Sequence, residues 1–165
     1  KKRRFSKVKH IILGGPTRRD SVANGLKIIS PKRNKFVLIH DAARPFINNS
    51  LISRLIKNAF EFDAVICAVP VKATIKTGNK GLFVDKTLKR ENLWEVQTPQ
   101  VFRADLLKKA FSRFGRLAVT DDATLVEKMG IKPKIVLGSY SNIKITTGED
   151  LIFARELVKK FNPRQ

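Results

Sequence analysis

Cysteine and long apolar segments are scarce in this chain of 165 residues. Its single cysteine, Cys67, excludes an intrachain disulfide, and its position within the apolar run AVICAVPV predicts a small buried core residue. That run, residues 64–71, is far shorter than the ~18 to 20 residues that cross a bilayer. The start, KKRRFSKVKHIIL, lacks the apolar run of a signal peptide. We therefore expect a soluble, cytoplasmic protein without a membrane partner.

Acidic residues are also few, since 34 Lys and Arg stand against 14 Asp and Glu and the formal net charge is +20. Residues 1–35 hold 12 of the basic residues but only one acid, Asp20. Such an excess attracts nucleic acid, anionic lipid or phosphorylated substrates. Nucleic acid is the less expected partner, because the basic segment offers only Phe5 for stacking and contains no helix-turn-helix or zinc pattern.

The order of apolar patterns predicts an α/β fold. A hydrophobic content of 42% suits one globular domain over residues 1–165. Short apolar runs of strand length are Val8–Leu13, Phe36–His40, Ala64–Val69 and Lys134–Leu137, and helical spacing marks Ser21–Ile29, Ser50–Phe60, Ala104–Arg113 and Asp121–Met129. Alternating strands and helices predict a mostly parallel sheet flanked by helices, with the ligand site at the carboxyl ends of the strands.

Three threonine and aspartate positions mark helix starts. Thr120 precedes DDATLVEKM as a predicted N-cap, and Thr147 with Asp150 three residues later forms a capping-box-like start for the last helix.

Residues 71–94 interrupt this alternation. The segment VKATIKTGNKGLFVDKTLKRENLW alternates apolar and polar residues around the turn-forming TGNKG, which predicts a β-hairpin that projects from the sheet. A projecting arm usually meets a partner, although a solvated hairpin fits the pattern equally well.

The first candidate for chemistry is GGPTRRDSV, residues 14–22. Gly14 and Gly15 follow a predicted strand and allow the backbone to approach a ligand closely. The helix start after them offers free N–H groups to an anion or a base edge. The alternative is an ordinary tight turn, in which Arg18 is a surface residue and Ser21 an N-cap.

The second candidate is VLIHDAARPFI, residues 37–47. Asp41 can hold a divalent cation or a ribose hydroxyl, and Arg44 can bind a phosphate through two N–H groups. The alanines between them leave room for a bound group, and Pro45 fixes the chain as it leaves the strand. A local salt bridge between Asp41 and Arg44 is the alternative.

The third candidate is spread over VQTPQVF, VTDDAT and SNIKITTGEDL. Each segment offers a hydroxyl or an ammonium at a loop or an element end, namely Thr98, Thr120 and Lys144. Taken singly, Thr120 is explained by its capping role, and Lys144 is explained as a solvated lysine.

Together and in this order, these segments resemble the 2-C-methyl-D-erythritol 4-phosphate cytidylyltransferase family. The matching blocks are GGPTRRDSV, VLIHDAARPF, VQTPQVF, VTDDATLVE and SNIKITTGEDL, which run from Gly14 almost to the C-terminus. The resemblance implies a Rossmann-like nucleotidyltransferase fold. It also implies a reaction in which the phosphate of methylerythritol phosphate attacks the α-phosphorus of CTP and releases pyrophosphate, with Mg²⁺ as the divalent cation.

The resemblance also implies roles for individual residues. Asp41 lies beside the metal and the CTP ribose, and Asp41, Arg44 and Lys144 are the expected catalytic residues. Nucleotide binding is expected at Gly14, Gly15, Arg18, Ser21, Asp41 and Ala42. The sugar phosphate is expected at Arg44, Thr98, Thr120 and Lys144. In the family the hairpin arm exchanges between subunits, so Thr74 and Arg90 would enter the partner's active site in a homodimer.

Two other interpretations stay open. The ribitol-5-phosphate cytidylyltransferase group shares the fold and the chemistry, although Ala43 stands where that group more often carries valine. Members of the resembling family also begin with a strand that runs into a glycine-rich CTP loop, and nothing in KKRRFSKVKHIILGG resembles it. We therefore expect a chain that is incomplete at its N-terminus and inactive alone, or a non-catalytic remnant that binds polyanions.

Overall fold

The computed structural model describes residues 5–161 of the chain, which contain five α-helices and six strands. The helices are α1 Arg18–Ile28, α2 Asn49–Phe62, α3 Ala104–Phe114, α4 Ala123–Glu127 and α5 Gly148–Phe161, with a 3₁₀ turn at Arg90–Asn92. The strands are β1 Phe36–Ile39, β2 Ala64–Pro70, β3 Lys76–Gly78, β4 Val84–Thr87, β5 Trp94–Arg103 and β6 Lys134–Leu137. Within these residues no helix is both long and apolar enough to cross a membrane.

The central sheet has the strand order β1-β5-β2-β6. β2 pairs with β6 in parallel, whereas β5 runs antiparallel to both β1 and β2. Three strands therefore share one direction, and β5 lies between two of them with the opposite direction. The reversal follows from the connection, because a hairpin-like arm returns the chain beside β2 where a helical crossover would have kept the strands parallel. The predicted α/β class, with a central sheet flanked by helices, is confirmed.

β2 lies at the centre of the core because both of its faces are covered. Its alternate residues Val65 and Cys67 pack with Leu51, Leu55 and other residues on the α2 side. Ile66 packs on the opposite face with residues of α1, α3 and α4. Such double coverage explains the continuous apolar run in the sequence. Cys67 is buried and free, as predicted, and burial raises the pKa of its thiol to about 11.

The two predicted helix starts have different outcomes. At α5, the backbone N–H groups of Thr146 and Thr147 donate to Asp150 Oδ2 at 2.8 and 2.9 Å, and Asp150 N donates to Thr147 Oγ1 at 3.3 Å, which confirms the capping prediction. At α4 the prediction for Thr120 is wrong. Asp121 fills that role, because its Oδ1 accepts hydrogen bonds from the backbone N–H of Thr124 at 3.1 Å and from its hydroxyl at 2.7 Å.

The predicted strand over residues 8–13 is absent from the structure. This segment forms no strand pairing with the rest of residues 5–161, and Ile11 and Leu13 are 94% and 89% exposed. An apolar run of strand length needs a ladder partner to become a strand, since its backbone N–H and C=O groups otherwise bind water. The prediction from apolar pattern alone was therefore wrong for this segment.

Residues 71–94, which we call the arm, contain a two-stranded sheet of β3 and β4 that is separate from the central sheet. β3 and β4 pair antiparallel, with Lys76 opposite Thr87. At the tip, Leu82 is 94% exposed and Phe83 is 74% exposed. The arm thus carries apolar side chains that this chain leaves in water.

We expect Phe102→Ala to destabilise the protein by about 3 to 5 kcal/mol, because the side chain is fully buried in β5 and its removal leaves a cavity. Chemical denaturation followed by circular dichroism measures the change. Phe153→Ala on α5, where the side chain is 66% exposed, is the matched control and is expected to change the free energy of unfolding little. Equal effects of the two substitutions would contradict this description of the core.

Candidate active site

A cavity of about 360 Å³ opens at the ends of the sheet strands. Six residues predicted from sequence line it together: Arg18, Asp41, Arg44, Thr98, Thr120 and Lys144. Their positions follow from the fold, since Asp41 comes two residues after β1 and Lys144 follows β6 on a loop. The parallel directions of β1 and β6 bring their carboxyl ends to the same edge of the sheet.

Asp41 lies between two cations. Its Oδ1 is 3.2 Å from Arg18 Nε, and its Oδ2 is 3.0 Å from Lys144 Nζ. Burial by itself would raise the pKa of Asp41, but the hydrogen bonds and charges of Lys144 and Arg18 outweigh burial and lower that pKa. The carboxylate is therefore kept ionised in a largely buried position, with 15% of its side chain exposed. The predicted local pair between Asp41 and Arg44 is replaced by these longer-range partners.

Arg18 extends the charged cluster to a second carboxylate. Its Nη2 lies 2.8 Å from Asp122 Oδ2, and the Asp122 side chain is 1% exposed. Burial raises the pKa of Asp122, although the neighbouring Arg18 acts in the opposite direction. The order Asp122, Arg18, Asp41, Lys144 is therefore a row of alternating charges that connects α4, α1, the end of β1 and the loop after β6.

Arg44 belongs to a buried polar cluster beneath the cavity. It is 9% exposed, and its Nη1 donates to the Asn142 carbonyl at 2.7 Å. The Asn142 side chain in turn donates to the Thr98 carbonyl at 2.9 Å and to Gln97 Oε1 at 3.2 Å. Within the described residues Arg44 Nε has no hydrogen-bond partner. Arg44 lines the cavity, but its Nε is itself buried, so this unpaired donor does not face the open space.

Thr98 is held by two residues at the end of β1. The backbone N–H of Asp41 donates to Thr98 Oγ1 at 3.0 Å, and Thr98 Oγ1 lies 3.1 Å from His40 Nδ1. The pairing of β2 with β5 is irregular here, since Ile66 pairs with Gln100 whereas Cys67 pairs with Gln97. This bulge leaves Thr98 and Pro99 without ladder partners on β2 and directs β5 into the site.

The glycine loop is shaped by its own side chains. Gly15 N donates to Ser21 Oγ at 3.0 Å, and Ser21 Oγ donates to the Thr17 carbonyl at 3.0 Å. A Cβ on Gly15 would overlap the side chain of Asp20, so the loop requires glycine there. Thr17, not Ser21, caps α1. Gly14, Gly15, Ser21 and Ala42 do not line the cavity, and their expected contacts with a nucleotide stay predictions.

The arm residues Thr74 and Arg90 also lie outside the cavity of their own chain. Arg90 Nη1 donates to the Lys72 carbonyl at 2.6 Å and so joins the two sides of the arm near its base. Both residues are exposed.

Several polar residues of this region were missed from the sequence. Gln100 is fully buried, and its Nε2 donates to Asp121 Oδ2 at 2.8 Å. Gln100 stands within an apolar strand, and a buried amide needs a partner, so its position in QTPQVF was a signal. Asp122 lies two residues after Thr120 in the segment TDDAT, so the segment that was selected from sequence also contained this carboxylate. Gln97 and Asn142 gave no signal, because their partners are more than 40 residues away in sequence.

Fold and site together define a class of protein. An α/β sheet whose strand ends gather Arg18, Arg44 and Lys144 around one carboxylate is typical of enzymes that bind phosphorylated ligands. The family described as IspD, 2-C-methyl-D-erythritol 4-phosphate cytidylyltransferase, matches residues 3–160. The chain belongs to this family.

Curated relatives share about half of their matched residues with the chain. The 2-C-methyl-D-erythritol 4-phosphate cytidylyltransferase of Alkaliphilus metalliredigens is 48% identical over 163 residues, which cover 97% of this chain and 67% of the relative. That of Alkaliphilus oremlandii is 51% identical over 157 residues, which cover 94% of this chain and 66% of the relative. The chain thus spans about two thirds of the length of these relatives.

Solved structures agree with this family. The crystal structure of 4-diphosphocytidyl-2C-methyl-D-erythritolsynthase from Anaerococcus prevotii has a TM-score of 0.81 and 38% identity, and the match covers 88% of this chain and 66% of that one. The Thermus thermophilus 2-C-methyl-D-erythritol 4-phosphate cytidylyltransferase has a TM-score of 0.79 and 36% identity, and covers 88% of this chain and 71% of that one. The expected nucleotidyltransferase fold is confirmed.

We expect Asp41→Asn to remove a contribution to stability that depends on pH. Because the pKa of Asp41 is lower in the folded state, its charge stabilises the fold above the unfolded pKa of about 3.9, and this contribution is lost as pH falls through the folded pKa. Denaturation at pH 7 and at stepwise lower pH should show wild type and variant converging in the acid range. Asp85→Asn on the exposed arm is the control. A wild-type to variant difference that grows on acidification would contradict the ion-pair description.

Proposed function

We propose that this protein transfers CMP from CTP to 2-C-methyl-D-erythritol 4-phosphate, with release of pyrophosphate. The observation that carries the proposal is the ionised Asp41 between Lys144 and Arg18, in a cavity that Arg44 also lines. Relatives of about 46 to 51% identity carry the name of this enzyme. The reaction is a step in making isoprenoid precursors.

The chemistry requires alignment and charge neutralisation more than a protein nucleophile. A phosphate oxygen of the sugar alcohol forms a new bond to the α-phosphorus of CTP. The bond from that phosphorus to the bridging oxygen of the β-phosphate breaks, and its electron pair leaves with pyrophosphate. Lys144 and Arg44 supply positive charge and N–H donors to the oxygens on which negative charge accumulates.

A divalent cation fits Asp41 as a shared ligand. The described residues contain no group of three or more His, Cys, Asp or Glu side chains that could hold a metal alone. Mg²⁺ commonly takes one or two carboxylates and completes its shell with water and substrate phosphates, so a single ionised aspartate suits it. When bound, Mg²⁺ would neutralise phosphate oxygens and favour departure of pyrophosphate. With Asp41 shared in this way, Lys144 would be available to a phosphate, whereas Arg18 would keep its ion pair with Asp122.

The remaining predicted residues are assigned by the resemblance to the family. Nucleotide binding is assigned to Gly14, Gly15, Arg18, Ser21 and Ala42, of which Arg18 lines the cavity and the others belong to the loop before α1, to α1 and to the turn after β1. Thr120 and Lys144 face the sugar phosphate together with Arg44, and Thr98 retains a lone pair that can accept from a polyol hydroxyl.

The arm supports a homodimer. Thr74 and Arg90 lie outside the cavity of their own chain, which suits residues that act in a neighbouring one. The arm tip exposes Leu82, Phe83 and Val84 by 94%, 74% and 60%, an apolar surface that a second copy would cover. A cytoplasmic location accords with the substrates.

In a version of this protein with the full length of its relatives, we expect Lys144→Ala to lower kcat at least about 10²-fold, because it removes a preorganised charge at the transferring phosphate. Pyrophosphate release is measured with CTP, Mg²⁺ and methylerythritol phosphate. Lys159→Ala is the matched control, since that lysine is 72% exposed and pairs only with Glu156 within the described residues. Near wild-type turnover of Lys144→Ala would remove this residue from the site.

The same assay tests the substrate. Pyrophosphate release by the wild-type protein is measured with methylerythritol phosphate as the acceptor and, separately, with ribitol 5-phosphate. Faster pyrophosphate release with ribitol 5-phosphate would overturn the proposed acceptor. Release with neither acceptor, from a version of this protein with the full length of its relatives, would overturn the proposed reaction.

Mixed dimers test whether the arm completes a neighbouring site. We expect a mixture of Arg90→Ala and Lys144→Ala proteins to regain activity, because some heterodimers would hold one site with both defects and one site with neither. Activity is compared with that of each variant alone after subunit exchange. Mixtures no more active than the separate variants, or a protein that stays monomeric at micromolar concentration, would rule out this arrangement.

A further inference from the structure

His40 joins the two strands that meet at the site. Its Nδ1 lies 3.1 Å from Thr98 Oγ1 on β5, and its Nε2 lies 2.9 Å from the Arg44 carbonyl beyond β1. The residue is partly buried and does not line the cavity. Sequence analysis assigned it only to the end of a strand.

The hydrogen bond between Thr98 and Asp41 extends the pairing of β1 with β5 beyond the last backbone pair. β1 and β5 pair from Phe36 opposite Arg103 to Ile39 opposite Gln100. Continuing this register would set Asp41 opposite Thr98, one step beyond Pro99, which has no N–H to donate. The side-chain oxygen of Thr98 accepts the Asp41 N–H in place of a backbone carbonyl.

The positions of the hydrogens between Arg44, His40 and Thr98 follow from the Arg44 carbonyl, which can only accept a hydrogen bond. His40 Nε2 therefore carries the proton. In the neutral ring Nδ1 is then an acceptor, and it takes the single hydroxyl hydrogen of Thr98. This leaves the lone pairs of Thr98 Oγ1 for Asp41 N–H and one further donor. Thr98 consequently has no hydrogen with which to bind a phosphate.

The segment that His40 and Thr98 hold is the turn that carries the chemistry. Arg44 N donates to the Asp41 carbonyl at 2.9 Å, which closes the turn over residues 41–44. Ile145 N donates to the Ala43 carbonyl at 2.8 Å. This hydrogen bond links the residue next to Lys144 to the same turn. One rigid turn thereby sets the positions of Asp41, Arg44 and Lys144.

We propose that His40 is a positioning residue, which uses its unprotonated Nδ1 to orient the Thr98 hydroxyl and so fixes the Asp41–Arg44 turn for the transfer reaction. The inference rests on the proposed function, because its kinetic consequence requires that reaction. It assigns Thr98 the same positioning role. His40 does not touch the substrate.

Substitution of His40 by asparagine or by glutamine tests the roles of its two ring nitrogens separately. An asparagine oxygen can replace Nδ1 and accept from Thr98, whereas a glutamine amide can replace Nε2 and donate to the Arg44 carbonyl. We expect His40→Gln and Thr98→Val each to lower kcat about 10- to 100-fold, the scale of a misplaced catalytic group, with KM for CTP changed much less. His40→Asn should restore most of that loss.

The double variant supplies a further check. If His40 acts through Thr98, His40→Gln combined with Thr98→Val should be no slower than the slower single variant, because both remove one interaction. Multiplied losses would overturn the inference, and so would equal activity of His40→Gln and wild type. Equal losses in His40→Asn and His40→Gln would assign the effect to packing alone and overturn it as well.

A spectroscopic measurement keeps the inference separate from the proposed reaction. The chain has two histidines, His10 and His40, so ¹H–¹⁵N correlation of the imidazole nitrogens can be assigned with the His40→Asn variant. For the neutral ring of His40 the two contacts predict the tautomer with a protonated Nε2 and an unprotonated Nδ1. The opposite tautomer would overturn the inference even in an active enzyme. The expected tautomer in a protein that releases no pyrophosphate would overturn the proposed function and leave the His40–Thr98 contact confirmed.

Discussion

The ionised Asp41 carboxylate is the constraint on which the site depends. A carboxylate with little access to water must be compensated by cations or it takes up a proton. Here the compensation comes from Arg18 and Lys144, which are 23 residues before and 103 residues after Asp41 in the chain. These ion pairs therefore link the first helix to the loop after the last strand. The cavity exists where these pairs meet.

The antiparallel strand β5 makes that meeting possible. It lies between β1 and β2, and its bulge opposite Ile66 and Cys67 turns Thr98 toward the end of β1. A regular strand at this place would alternate its side chains between the two faces and would present no hydroxyl to Asp41 N–H. The arm that reverses the chain before β5 is thus part of the geometry of the site, apart from any contact it makes with a second copy.

The sequence predicted what depends on local pattern. Asp41 and Arg44 were found because charged residues directly after an apolar strand are out of place unless they have a function, and the arm was found from alternation around a turn. Contacts between distant residues had no such pattern. His40, Gln97 and Asn142 are bonded across 40 or more residues or through backbone groups, and only the fold shows the partners. The prediction of a strand at residues 8–13 was wrong for a related reason, because a strand forms only beside another strand that pairs with it.

The charge of the cavity itself argues for further cations during the reaction. Arg18, Arg44 and Lys144 line it, but so do Asp41, Asp121 and Glu127, so the formal charges of these six side chains cancel in spite of the net +20 of the chain. The proposed substrates, a nucleoside triphosphate and a sugar phosphate, would bring several negative charges into this space. A balanced cavity can hold them only if additional positive charge arrives with them, because uncompensated charge in a confined site is costly. The divalent cation proposed at Asp41 and the arginine proposed to come from a neighbouring arm would both meet this requirement.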